Sequence, residues 1–144
     1  MRHDSNLNGP VPTGFEVPNV PVGRNEPSEP TLPASVTEQQ AAAMMLKGLT
    51  AWFLLRRCYR VRAGESVLLH SASGGVGLIA LQWAVSLAAH VIAVVSSDEK
   101  AEVARKYGAA DVIVSDREDL VERVRTITKR RGVSVVYDGV GKDT

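Results

Sequence analysis

The sequence predicts an α/β protein, a parallel, doubly wound sheet of about four strands with helices between them. Three observations carry this. Short apolar runs at 66–70, 90–95, 112–114 and 133–137 read as strands, and 90–95 is apolar and β-branched, which suits a strand covered on both faces. Segments of helical periodicity separate these runs, and each boundary carries a recognisable start or stop residue. The first strand turns directly into an apolar helix through three glycines, Gly74, Gly75 and Gly77.

Taken in order, the chain begins with a segment almost without apolar periodicity. All seven prolines lie between Pro10 and Pro33, together with Gly9, Gly14 and Gly23. Residues 1–34 therefore read as an extended or disordered leader, and residues 35–144 as the folded domain. Ser35 and Glu38 have capping-box spacing at the start of an alanine-rich helix that runs to about Arg57. Met45, Leu49, Trp52 and Leu55 recur along it at helical spacing and are assigned to the core. Gly64 marks the turn into the first strand, residues 76–88 form a buried helix, and the strand 90–95 follows. Ser97 caps the next helix, which Asp98-Glu99-Lys100 opens and Gly108 ends. After the short strand Val112-Ile113-Val114, Ser115 or Asp116 caps a helix with Leu120, Val121, Val124 and Ile127 on one face, ended by Gly132. The fourth strand, Val133 to Tyr137, leads into Asp138-Gly139-Val140-Gly141. Right-handed crossovers then give a doubly wound sheet. With no fifth strand, the fourth presents an unpaired apolar edge open to self-pairing, so a homodimer is one expected state.

Composition narrows the function classes. The 144 residues carry a formal net charge of +1 without a basic or acidic block, which argues against a nucleic-acid partner or an electrostatic membrane anchor. No apolar stretch is long enough to span a bilayer, and Met1-Arg2-His3-Asp4-Ser5-Asn6 lacks the apolar region of a signal peptide, so a cytoplasmic location is expected. The single Cys58 cannot form an internal disulfide, and no neighbouring motif supplies a base to activate it. No Cys/His cluster has zinc spacing, and His70 and His90 read as structural or exposed imidazoles rather than ligands.

The glycine turn carries the chemistry. Gly75 and Gly77 with Ala80 fit the G-x-G-x-x-G/A fingerprint: the first small residue permits the tight turn, the second lets the backbone approach a pyrophosphate, and the third keeps helix and strand close. The N–H groups that open the helix lack intrahelical acceptors and lie at its positive end, so a diphosphate suits them. This is the phosphate turn of a Rossmann-type dinucleotide fold. Such a fold has about six strands when complete, and the four here correspond to its mononucleotide half. About twenty residues after the turn, an NAD site usually offers a carboxylate to the ribose 2′-OH. Here Ser96 and Ser97 occupy that strand end with Lys100 nearby, which suits a 2′-phosphate instead.

From about Leu32 onward the sequence resembles the zinc-independent quinone oxidoreductases, the zeta-crystallin-like NADPH:quinone reductases of the medium-chain dehydrogenase/reductase superfamily. Three stretches carry the resemblance: Ala41 to Ala51, Ser71 to Gly77, and Val135 to Gly141. It implies hydride transfer from NADPH to a small quinone or enone. It places Thr50 near the nicotinamide and phosphates, Gly74, Gly75 and Val76 around the pyrophosphate, and Ser96 and Lys100 at the 2′-phosphate. Ser115 stands where the family commonly uses an aromatic residue beside that phosphate. Lys100 otherwise reads as a solvated helix charge, and Asp98 either offsets it or binds a ribose hydroxyl. Asp138 and Gly139, at the carboxyl edge of the sheet, either shape the nicotinamide ribose site or form a turn. The resemblance covers only the middle of such an enzyme, so little or no turnover is expected of these residues alone. The other readings are an enoyl reductase of the same superfamily and a non-catalytic nucleotide-binding or dimerising module.

Overall fold

The computed structural model describes residues 32–141. The expected leader, apart from residues 32–34, and residues 142–144 lie outside that range. The order of elements is α1 (Glu38–Phe53), a π-helical turn (Leu54–Cys58), β1 (Ser66–His70), α2 (Gly75–Ser86), β2 (His90–Val95), α3 (Asp98–Lys106), β3 (Asp111–Val114), α4 (Leu120–Ile127) and β4 (Val135–Tyr137). The strands form one parallel sheet in the order β3-β2-β1-β4. The order reverses direction at β1, between β2 and β4.

Alternation along each strand divides the core. Val67, Leu69, Val91, Ala93, Val95, Val112 and Val114 face one layer, where they pack with Leu81 and Ala84 of α2 and Ala101 and Ala104 of α3. Leu68, Ile92, Val94 and Ile113 face the other, under Leu120, Val124 and Ile127 of α4. Both faces of the sheet are therefore covered, which explains why β2 reads as an apolar, β-branched run. The doubly wound α/β fold expected from the sequence is the fold observed.

Several local expectations are corrected. The capping box of α1 is formed two residues later than expected. A turn closed by the Val36 amide on the Pro33 carbonyl (2.8 Å) occupies Ser35, and Thr37 becomes the cap: its hydroxyl accepts from the Gln40 amide and its own amide donates to Gln40 Oε1 (2.9 Å). Met45 (68% exposed), Leu49 (59%) and Trp52 (40%) are not core residues. Of that helical stripe Leu55 alone is buried, because α1 turns its small residues toward α2 and buries Ala51 instead. The cap of α4 is Asp119, whose carboxylate accepts from the Glu122 amide (2.9 Å). Ser115 and Asp116 precede a turn in which the Glu118 amide bonds back to the Val114 carbonyl, which delays the helix. Val121 points outward, and β4 starts at Val135 rather than Val133. Ser97 does cap α3, accepting from the Lys100 amide.

The π-helical turn locks α1 to the sheet. The Tyr59 amide donates to the Leu54 carbonyl five residues back (3.2 Å), and the hydroxyl of Tyr137 in β4 reaches the same carbonyl (2.9 Å). Burial, reinforced by the nearby Cys58, Tyr59 and Glu65, raises the Tyr137 phenol to about 12. Tyr59 is raised as well, chiefly because its hydroxyl donates to the Glu65 carboxylate at 2.9 Å.

Candidate functional site

The loop from β1 to α2 begins with Ser71 in the left-handed region (φ +50°) and closes when the Gly74 amide donates to the Ser71 carbonyl (2.8 Å). Gly74 is the N-cap of α2 and, lacking a side chain, provides no cap. In this α2 differs from α1, α3 and α4, each of which has a side-chain cap and an acidic residue in its first turn, whereas α2 has neither. Its first-turn N–H groups and its positive dipole end thus meet no internal anion, a donor set that fits a diphosphate.

The glycines divide the work differently from the sequence reading. A Cβ on Gly77 would stand 2.1 Å from the Ser71 carbonyl oxygen and 3.0 Å from the Ala72 Cα, so Gly77 is the position where α2 presses against the turn. That places the fingerprint at Ala72-x-Gly74-x-x-Gly77, three residues earlier than Gly75-x-Gly77-x-x-Ala80. Ala80 is buried in the same layer one turn further on. Gly75 faces α1 instead: a Cβ there would meet Cδ, Cε and Nζ of Lys47 at 3.0–3.2 Å.

Two clefts flank the turn. One, of about 610 Å³, runs over the ends of β1 and β2 and is lined by Ser73, Ser96, Lys100, Ser115, Asp116 and Val140. The other, of about 640 Å³, opens between α1, β1 and β4, with Thr50, Cys58, Val76, Tyr137 and Gly139 among its walls. His70, Ser71 and Gly74 line both. The clefts meet at the point where the strand order reverses and at the carboxyl ends of the strands, where open α/β sheets bind their ligands.

Every site residue expected from the sequence lies in one of the two clefts. Thr50, Gly74, Gly75, Val76, Gly77 and Gly139 line the second, and Gly74, Ser96 and Lys100 the first. Lys100 Nζ donates to Ser96 Oγ at 2.7 Å. Asp98 is engaged by both guanidinium nitrogens of Arg117, which draws its carboxylate toward the β3–α4 loop. The Thr50 hydroxyl donates to the Leu46 carbonyl (2.8 Å). Asp138 forms a turn, its Oδ1 accepting from the Val140 amide at 2.8 Å. His90 pairs with Asp111 (Nε2 to Oδ2, 2.8 Å). Sequence reasoning missed that His70 lines both clefts and that the end of the Lys47 side chain lies over Gly75. Only the Lys47-x-x-Thr50 spacing, which puts both on one helix face, was available to find Lys47.

Fold and turn together define a Rossmann-type dinucleotide-binding unit, the class shared by nicotinamide-dependent oxidoreductases. Comparison with known proteins narrows this. Residues 75–144 match the zinc-binding dehydrogenase family. Quinone oxidoreductase 1 of Escherichia coli strain K12 is 52% identical over 113 residues, which span 78% of this chain and 35% of that protein. The 2-haloacrylate reductase of a Burkholderia species is 50% identical over 103 residues, 72% of this chain and 31% of that protein. The crystal structure of Escherichia coli quinone oxidoreductase complexed with NADPH matches with a TM-score of 0.76 at 52% identity, covering 78% of this chain and 35% of that one. The chain belongs to the quinone oxidoreductases of the medium-chain dehydrogenase/reductase superfamily. It spans about a third of the length of the curated relatives it matches. Among the described residues no group of three or more His, Cys, Asp or Glu side chains is arranged to hold a metal, and no helix is long and apolar enough to cross a membrane.

Proposed function

We propose that residues 35–144 form the cofactor-holding part of a cytoplasmic, zinc-independent NADPH:quinone oxidoreductase. One observation supports this above the others: two clefts meet at an uncapped helix N-terminus, and the lining of the first includes Lys100 hydrogen-bonded to Ser96. In this reading the first-turn amides of α2, at Gly75, Val76 and Gly77, hold the diphosphate. The adenosine half lies in the first cleft, with Ser96 and Lys100 on its 2′-phosphate. The nicotinamide half lies in the second, beside Thr50 and Gly139. Bound NADPH supplies the hydride, and the chain's own residues bind and orient it. The acceptor is a small quinone or enone.

A second reading differs only in the acceptor. The name of the Burkholderia relative gives it a 2-haloacrylate, an activated alkene, and the enoyl-reductase alternative belongs to the same chemistry. Titration of the chain with NADPH and then NADH, followed by nicotinamide fluorescence, tests the part common to both. Tighter binding of NADPH is expected, and Lys100→Ala should remove about tenfold of that affinity while leaving NADH nearly unchanged. A folded chain that binds neither nucleotide would contradict the proposal.

A further inference from the structure

Lys47 lies outside the fingerprint and outside the residues that the resemblance assigns, yet its side chain crosses from α1 to the mouth of the glycine turn. The terminal atoms Cδ, Cε and Nζ lie over Gly75, with Nζ 3.2 Å from the point a Cβ would occupy there. Gly75 is the first residue of α2, so the ammonium lies near that helix's positive end. Such an arrangement is unfavourable in the free protein. Two positive groups converge, and the first turn of α2 contains no acidic residue to separate them. Lys47 takes part in none of the ion pairs among the described residues, although four arginines pair with carboxylates elsewhere. Thr50, one turn along on the same face of α1, already lines the second cleft.

We propose that Lys47 is a diphosphate-binding residue: its ammonium closes over the pyrophosphate from the α1 side while the α2 amides hold it from below. The inference rests on the dinucleotide reading above and deepens it. It gives Gly75 a role distinct from that of Gly77, since the missing side chain at 75 makes room for the lysine rather than for the ligand. It also makes α1 part of the cofactor site through charge as well as through Thr50. A point charge of this kind favours the dianionic linkage without reading either nucleotide half.

The test uses the full chain, NADPH as the principal probe and adenosine 2′-monophosphate as the control, which carries the 2′-phosphate but no diphosphate. Lys47→Met keeps most of the aliphatic stem and removes the charge. It should weaken NADPH about tenfold, the size of a lost charge-assisted contact, and leave adenosine 2′-monophosphate within twofold of wild type. Lys47→Arg should restore most of the NADPH affinity. The unliganded Lys47→Met chain should melt no lower than wild type, because a repulsion has been removed. Lys47→Gln serves as a second charge-removing variant, read in the same way if Lys47→Met does not fold. Unchanged NADPH affinity in the charge-removing variant overturns the proposal and leaves the dinucleotide reading standing. So does equal weakening of both probes, or failure of arginine to restore binding, since either reports lost packing. A wild-type chain that does not bind NADPH overturns both.

Discussion

Gly75 and Gly77 stand two positions apart in one turn, yet their replacement should have unequal effects. At Gly77 an added methyl meets a backbone carbonyl that cannot retreat without moving the turn, so Gly77→Ala should cost about 3 kcal/mol and abolish nucleotide binding. At Gly75 the same methyl meets the end of a flexible lysine, and Gly75→Ala should cost less than about 1 kcal/mol. Urea melts of the two variants check the difference, and equal losses would mean that the turn is softer than its contacts imply. The motif's presence was legible in the sequence, but its register was not. Spacing alone fits both Gly75-x-Gly77-x-x-Ala80 and Ala72-x-Gly74-x-x-Gly77, and the choice depends on which small residue faces the strand. Ser96 and Lys100 were easier to place. They follow a strand end and a helix cap, and an i, i+4 relation carries Lys100 back over Ser96.

Among elements, the join between α1 and β4 rests on Tyr137. Its hydroxyl donates to the Leu54 carbonyl, which the π-helical turn brings within reach, and burial favours the neutral phenol. The folded-state pKa, raised to about 12 from the ordinary 10.0, means that this stabilisation is complete below pH 10 and is lost as pH rises toward 12. Tyr137→Phe should cost about 1 kcal/mol at neutral pH and flatten the alkaline limb of the stability profile. An alkaline limb unchanged in the variant would assign the effect to other groups. Helix and strand existence followed from period and punctuation, whereas two of the three expected caps slipped. Ser35 and Ser115–Asp116 have the right chemistry for caps, but the turns that precede α1 and α4 occupy them and pass the role to Thr37 and Asp119. The apolar stripe Met45–Leu49–Trp52 misled for a different reason. Periodicity says that a face is apolar, and it does not say what covers it; here α1 packs through small residues and leaves the larger ones outside.

At the scale of the whole molecule, the sheet order places the glycine turn between two clefts of similar size, and on the proposed reading a dinucleotide that fills both stabilises the fold by more than either half. NADPH at a hundred times its dissociation constant should add about 2.7 kcal/mol. For a domain of this size that raises the melting midpoint by roughly 10 °C. Adenosine 2′-monophosphate at the same concentration should produce a much smaller shift, and equal shifts from the two would mean that the second cleft takes no part. The shared wall between the clefts also bears on how the protein can change. Because His70, Ser71 and Gly74 belong to both, a substitution in the turn alters both halves of the site together. The Ser96–Lys100 pair lines the first cleft alone. On the proposed reading, in which Ser96 and Lys100 hold the 2′-phosphate, coenzyme choice is therefore a separable trait, open to redesign at the end of β2, while the turn that serves both halves is bound to stay as it is.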